Sequence, residues 1–296
     1  MVRGVLLDID GVLTVSWAPL PGAVDTIAWL RDKDLPFRLV TNTSAKSRQE
    51  IAALLDEAGM PVDQEHIVTA VTSAGRFLTE EYPGRQCLVV NDGVLSDLRD
   101  IDIIGLDNAK KASVVLLGGA GPDLGYAELN AVFRLALDGI PVIALHRNAR
   151  YQTADGPVLD MGSFIVGLEG AADIEVTVVG KPAPDFFAAA LGQLGIDGSD
   201  AVMVGDDIGS DVIGAQDAGL TGVLVRTGKF RESDLYGPPV IRTTSSMESA
   251  TSLNCSVRST AEALGVKRGP DERKIINARL VGAAARADPR WPVDPG

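Results

Sequence analysis

The chain has 296 residues, 46% hydrophobic and 23% charged, an ordinary globular composition long enough for one large α/β domain or two smaller ones. A formal net charge of −13, with no clustered Lys/Arg stripe, argues against nucleic acid as a partner. No run approaches the ~18 apolar residues of a membrane span, and Cys87 and Cys255 form no disulfide framework, so a cytoplasmic protein is expected.

Short apolar runs alternate with longer helical patterns, the rhythm of a doubly wound parallel α/β sheet covered by helices. Val5-Leu6-Leu7 reads as a strand ending at Asp8. Ala23–Lys33 has helical spacing, Phe37–Val40 is a second buried strand, and Ser47–Ala58 is a helix stopped by Gly59 and Pro61. Cys87–Val90, Val114–Leu117 and Pro141–Leu145 read as further strands, with a helix over Tyr126–Leu137. Glu175–Val179 then leads to Gly180-Lys181, a helix over Asp185–Leu194, and strands at Ala201–Val204 and Val223–Val225. From Val266 the sequence turns rich in Arg, Ala and Pro; Asp271–Ala287 reads equally as a helix or as part of a frayed extension.

An acidic protein that handles a phosphate ester needs a local source of positive charge, and the strand ends supply one. Asp8 and Asp10, one residue apart in Asp8-Ile9-Asp10-Gly11, suit two tasks: attack on phosphorus, and proton transfer to the leaving oxygen and then from water. Thr41-Asn42-Thr43-Ser44 offers a hydroxyl and backbone N–H groups for phosphoryl oxygens. Lys181 is a point charge for the nucleophile and phosphate. Gly205-Asp206-Asp207-Ile208-Gly209-Ser210-Asp211 crowds carboxylates that repel one another unless a hard cation, Mg²⁺, sits between them. In an open α/β sheet the carboxyl edge of the strands is where ligands bind. A lone Asp-x-Asp-Gly is a weak signal, because such turns are common on surfaces. Four elements in order behind apolar strands are a strong one.

Gly118–Gly125 fails the G-x-G-x-x-G spacing, and Pro122 interrupts the turn a nucleotide loop needs. His146-Arg147-Asn148 and Arg150 read either as a solvated polar loop or as a specificity loop, with Arg147 or Arg150 pairing an anionic part of the substrate.

The four elements resemble, in order, those of the haloacid dehalogenase superfamily. The interval of about a hundred residues between the second and third resembles its NagD-like class IIA group, which carries an inserted α/β cap. The resemblance implies a core of 1–74 and 177–260, a cap of 75–176, and a C-terminal extension over 261–296. It implies Asp8 as nucleophile, Asp10 as general acid/base, Thr41 and Asn42 at the phosphate, and Lys181 stabilising charge. Mg²⁺ is then held by Asp8, the backbone carbonyl of Asp10, and Asp206. Asp211 orders the metal's waters or Lys181, and Asp207 either assists or forms the turn. The implied activity is hydrolysis of small phosphate monoesters, with phosphoramidates or pyrophosphate as further candidates, by a homodimer. A signalling receiver domain shares some of these groups but is shorter and has no place for the long insert. A phosphomutase on the same scaffold stays open; a dehalogenase has no use for Asp10.

Overall fold

The computed structural model describes residues 2–90, 95–122, 124–153, 156–230 and 276–278. Along the chain come β1 (Gly4–Asp8), a small hairpin of β2 (Thr14–Val15) and β3 (Ala18–Pro19), α1 (Ala23–Asp32) and β4 (Phe37–Thr41). They are followed by α2 (Arg48–Glu57), β5 (Ile67–Thr69) and α3 (Ala70–Glu81). The middle of the chain forms β6 (Gln86–Val90), β7 (Asp102–Ile104), β8 (Val114–Leu117), α4 (Tyr126–Leu137) and β9 (Val142–Ala144). The hairpin β10 (Arg150–Thr153)–β11 (Gly156–Leu159), α5 (Met161–Ala172) and β12 (Thr177–Val178) complete this part. Then come α6 (Pro184–Leu194), β13 (Ala201–Gly205), a wide π turn at Ile208–Ile213 running into α7 (Gly214–Asp217), β14 (Thr221–Val225) and β15 (Ile276–Ala278).

Among the described residues the larger sheet has the order β15-β14-β13-β1-β4-β5, all parallel. β1 lies centrally, and all five of its residues are buried. A strand covered on both faces has no polar face, so it reads as a continuous apolar run. Its alternate residues serve two cores. Val5 and Leu7 join Leu39, Val204 and Val223 against α1 and α2, whereas Leu6 joins Val40, Met203 and Phe186 against α6 and α7. The chain leaves β1 toward β4 and β5 on one side and returns to β13 on the other, which makes the end of β1 a topological switch point.

The second sheet has the order β12-β9-β8-β6-β7 and is also parallel. Leu88, Val115 and Val142 face α4 and α5, while Val114, Leu116 and Ile143 face α3. Cys87 is a buried residue of that second core, and burial pushes its thiol up to about 12, so it packs and does not react.

Local chemistry explains the helix starts. Ser47 and Glu50 close a capping box on α2, Thr69 and Thr72 close one on α3, and α6 begins with Pro184 at its first position. The strand and helix pair β5–α3, the hairpin β10–β11 and α5 go beyond the sequence expectation. Two further differences are corrections. Thr177–Val178, expected in the core segment, is the edge strand of the second sheet. Ile276–Ala278, expected in a helix over Asp271–Ala287 or a frayed tail, is a strand paired with β14. The rest of the 261–296 extension lies outside the described residues. No helix among those residues is long and apolar enough to cross a membrane.

Phe186 and Phe187 are fully buried and meet edge to face, 5.7 Å apart at 84°. Phe187→Ala is expected to lower unfolding stability by about 3–5 kcal/mol in urea titrations, through lost burial and a residual cavity. A loss below about 1 kcal/mol would contradict this packing.

Candidate active site

The carboxyl ends of β1, β4 and β13 bring Asp8, Thr41 and Asp206 to one edge of the larger sheet. Asp8 is 6% exposed, Lys181 3%, Asp206 1% and Asp211 0%, so four ionisable side chains share a space nearly closed to bulk water. Such burial survives only where charges are paired. Lys181 Nζ lies 2.8 Å from Asp8 Oδ1 and 2.7 Å from Asp211 Oδ1. Burial works against the ammonium, but Asp211 and Asp8 outweigh it and raise its pKa, so Lys181 stays charged.

Lys181 is itself held from the β4 loop. Asn42 Oδ1 accepts the Lys181 N–H at 2.9 Å, and Asn42 Nδ2 donates to the Lys181 carbonyl at 2.9 Å. The side chain of Asn42, expected at the phosphate, therefore positions the lysine. Thr41 Oγ1 accepts the Thr43 N–H at 3.0 Å, which leaves its own hydroxyl proton to donate. Thr43 Oγ1 donates to Asp10 Oδ2 at 3.0 Å, tying the exposed second carboxylate of the Asp8-Ile9-Asp10 turn to this loop.

The acidic loop is organised by its own backbone. Asp207 caps the π turn, Oδ1 accepting the N–H groups of Gly209 and Ser210 at 3.0 and 3.1 Å. Burial would raise the Asp207 pKa, but these N–H groups and Lys229, 3.6 Å from Oδ2, hold it below the usual carboxylate range. The turn carries Asp211 back beneath Gly205, where a Cβ would collide with the Asp211 side chain. Asp211 Oδ2 accepts the Asp207 N–H at 3.1 Å.

The β14 loop adds contacts beyond the four strand-end elements. Lys229 N–H donates to Asp206 Oδ2 at 2.6 Å, and the Thr227 hydroxyl donates to the Gly11 carbonyl. Gly11 and Gly228, both at positive φ, approach Asp206 so closely that a Cβ on either would strike its carboxylate. The readable signal was Thr227-Gly228-Lys229 directly after an apolar strand.

The cap arginines stand apart from this cluster. Arg147 forms a two-pronged pair with Glu169, with Nη1 to Oε1 at 2.8 Å, and Arg150 is exposed on β10.

Asp8, Asp206 and Asp211 each offer an oxygen, all within 4.8 Å of one another. Asp206 Oδ1 is buried and has no hydrogen-bond partner. Burial, with Asp8 and Asp211 adding repulsion, pushes Asp206 up to about 8; burial also raises Asp8, against the pull of Lys181. An orphaned carboxylate oxygen among other carboxylates fits a hard divalent cation. Asp211 Oδ1 is ion-paired with Lys181 and its Oδ2 accepts the Asp207 N–H, so a cation would draw first on Asp206 and Asp8.

A haloacid dehalogenase-like hydrolase family model matches residues 5–104, and a second HAD-hydrolase-like model matches 178–251. The chain belongs to the haloacid dehalogenase-like hydrolases, in the NagD-like group of phosphatases with an inserted cap. Among its relatives is the human haloacid dehalogenase-like hydrolase domain-containing protein 2, 40% identical over 79% of this chain and 87% of the relative. The rat phospholysine phosphohistidine inorganic pyrophosphate phosphatase is 38% identical over 81% of this chain and 88% of its own length. A magnesium complex of the glycerol phosphate phosphatase Rv1692 from Mycobacterium tuberculosis superposes with a TM-score of 0.72, at 27% identity, over 82% of this chain and 74% of that one.

The Asp206 environment has a consequence for stability. The native chain holds this proton up to about pH 8, whereas the unfolded chain releases it near 3.8. Between those values the native state binds more protons, so this group makes metal-free stability fall as pH rises. Urea midpoints in EDTA are expected to drop for wild type relative to Asp206→Asn between acidic pH and pH above 8. A wild-type curve parallel to that of the variant would contradict the assignment.

Proposed function

We propose that this protein is a Mg²⁺-dependent phosphatase of small phosphorylated metabolites, acting through an aspartyl-phosphate on Asp8. The observation that carries the reading is the buried Asp8 carboxylate, fixed at Oδ1 by Lys181 and flanked by the unpartnered Asp206 oxygen. With Oδ1 engaged, Oδ2 is the oxygen for phosphorus: its bond to phosphorus forms as the bond to the leaving oxygen breaks. Asp10 gives its proton to that leaving oxygen. It then takes a proton from the water that attacks phosphorus, which releases phosphate and restores Asp8. The Thr41 hydroxyl and nearby backbone N–H groups hold the non-bridging oxygens, and Lys181 offsets their charge. Asp8, Asp206 and the Asp10 carbonyl would hold Mg²⁺, whose charge lets an anionic nucleophile meet an anionic ester.

The five-stranded unit serves as the cap, excluding water and selecting the substrate. The substrates are phosphate monoesters; the pyrophosphate and phosphoramidate named for the rat relative are further candidates. A cytoplasmic homodimer completes the reading.

Phosphate release from a panel of small esters tests it. Asp8→Asn is expected to lower turnover at least about a thousandfold while the fold persists by circular dichroism, as removal of a covalent nucleophile does. EDTA is expected to stop wild-type turnover and Mg²⁺ to restore it. Metal-independent hydrolysis, or wild-type rates in Asp8→Asn, would overturn the mechanism.

A further inference from the structure

The second sheet also presents the carboxyl ends of its strands to the site, and that edge carries a histidine that the mechanism above does not use. The Leu145 carbonyl, just past β9, accepts the N–H of Gly180 at 2.9 Å, and Gly180 precedes Lys181. His146 therefore leaves its strand one residue from the segment that holds the buried ammonium. It is 4% exposed. A Cβ placed on Gly119, past the end of β8, would stand 2.8 Å from Ser44 Oγ, 3.7 Å from His146 Nε2 and 3.8 Å from Asp160 Oδ1. One point thus touches the β4 loop of the core and two cap side chains, so Nε2 faces the seam over the site.

The ring's hydrogen bonds fix its proton. The Asn148 N–H donates to His146 Nδ1 at 3.4 Å, which makes Nδ1 an acceptor. Asp160 Oδ2 lies 3.9 Å from Nδ1, beyond hydrogen-bond range, and its Oδ1 is engaged by the Ala120 and Met161 N–H groups at 3.0 and 2.8 Å. A neutral ring of this kind carries its proton on Nε2. Burial lowers the His146 pKa, Asp160 pulls it back, and Lys229, which also acts on Asp8 and Asp206, lowers it further. Among the described residues the polar contacts of the ring fall at Nδ1, which leaves the Nε2–H available at the seam beside Gly119 and Ser44.

We propose that His146 is a substrate-binding residue of the cap, donating its Nε2–H to an oxygen acceptor on the leaving-group side of the phosphorylated substrate. This deepens the phosphatase reading and rests on it. It assigns the specificity contact to His146 in place of Arg147, which Glu169 already occupies. A neutral N–H donor does not need a charged partner, so a hydroxyl, ether or carbonyl oxygen of the leaving group suffices.

The chain contains only two histidines, His66 and His146, so isotopically labelled histidine gives two imidazole signals, assigned with His66→Gln. Full-length Asp8→Asn protein with Mg²⁺ is titrated with glycerol phosphate, and separately with inorganic phosphate. The expected result is an Nε2–H tautomer for His146 and a shift of its Nε2 signal with the ester that exceeds the shift with phosphate alone. In parallel, His146→Ala is expected to raise KM for glycerol phosphate about tenfold with kcat changed less than about threefold. His146→Gln, which keeps an N–H donor, is expected to recover part of that loss. An Nδ1–H tautomer, or a His146 signal indifferent to an ester that wild type hydrolyses, would overturn the assignment and leave the phosphatase reading standing. A signal that moves while wild type hydrolyses nothing would support the contact and remove the phosphatase reading. Neither shift nor turnover would overturn both.

Discussion

The pairing of Lys181 with Asp8 and Asp211 is the interaction on which the rest of the site depends. These three buried groups depend above all on the ammonium, because removing Lys181 would leave two carboxylates facing each other in a low-dielectric space. The fold is arranged to keep them together. β1 delivers Asp8 from the centre of the sheet, the π turn after β13 brings Asp211 back under Gly205, and Asn42 grips the lysine backbone from β4. Three separate strand ends therefore converge on one ammonium. The excess of carboxylate remaining at Asp206 suits the cluster to a cation, which a closed salt bridge would not need.

The same lysine links the two sheets. Its segment is pinned to the core through Asn42 and to the second sheet through the Gly180–Leu145 bond, so the cap's return to the core runs through the active site. Gly180 has no room for a side chain because the Leu145 carbonyl and the Asn42 amide press on it. The contact between Gly119 and Ser44 is a second point of close approach. The carboxyl edge of one sheet thus meets the corresponding edge of the other, the place where the proposed substrate would be held.

Much of this was legible in the sequence for a physical reason: a buried parallel strand is an apolar run, and a carboxylate, hydroxyl or lysine directly after one announces itself. Asp8, Asp10, Thr41, Lys181 and Asp206 stand out that way, and the fold brings Asp8, Thr41, Lys181 and Asp206 to one sheet edge. The capping chemistry at Ser47 and the matching span at Tyr126–Leu137 show local signals agreeing with the fold. What stayed hidden depends on tertiary geometry. That Asn42 grips Lys181, 139 positions away in sequence, is invisible to any window. Glu169 captures Arg147 from a helix the pattern did not reveal, because α5 is rich in Gly and Ala and its polar face is thin. Lys229 holds Asp206 through its backbone N–H, so its position after an apolar strand is legible but its partner is not.

Trapping the covalent intermediate on Asp8 is the sharpest test of the proposed mechanism. Wild-type enzyme turning over a phosphate ester is quenched in acid and reduced with borohydride, which converts an aspartyl-phosphate to homoserine, and peptides are read by mass spectrometry. Homoserine is expected at position 8, dependent on substrate and absent without it. An unmodified Asp8 in enzyme caught during rapid turnover, or modification at Asp10 or Asp206 instead, would contradict it.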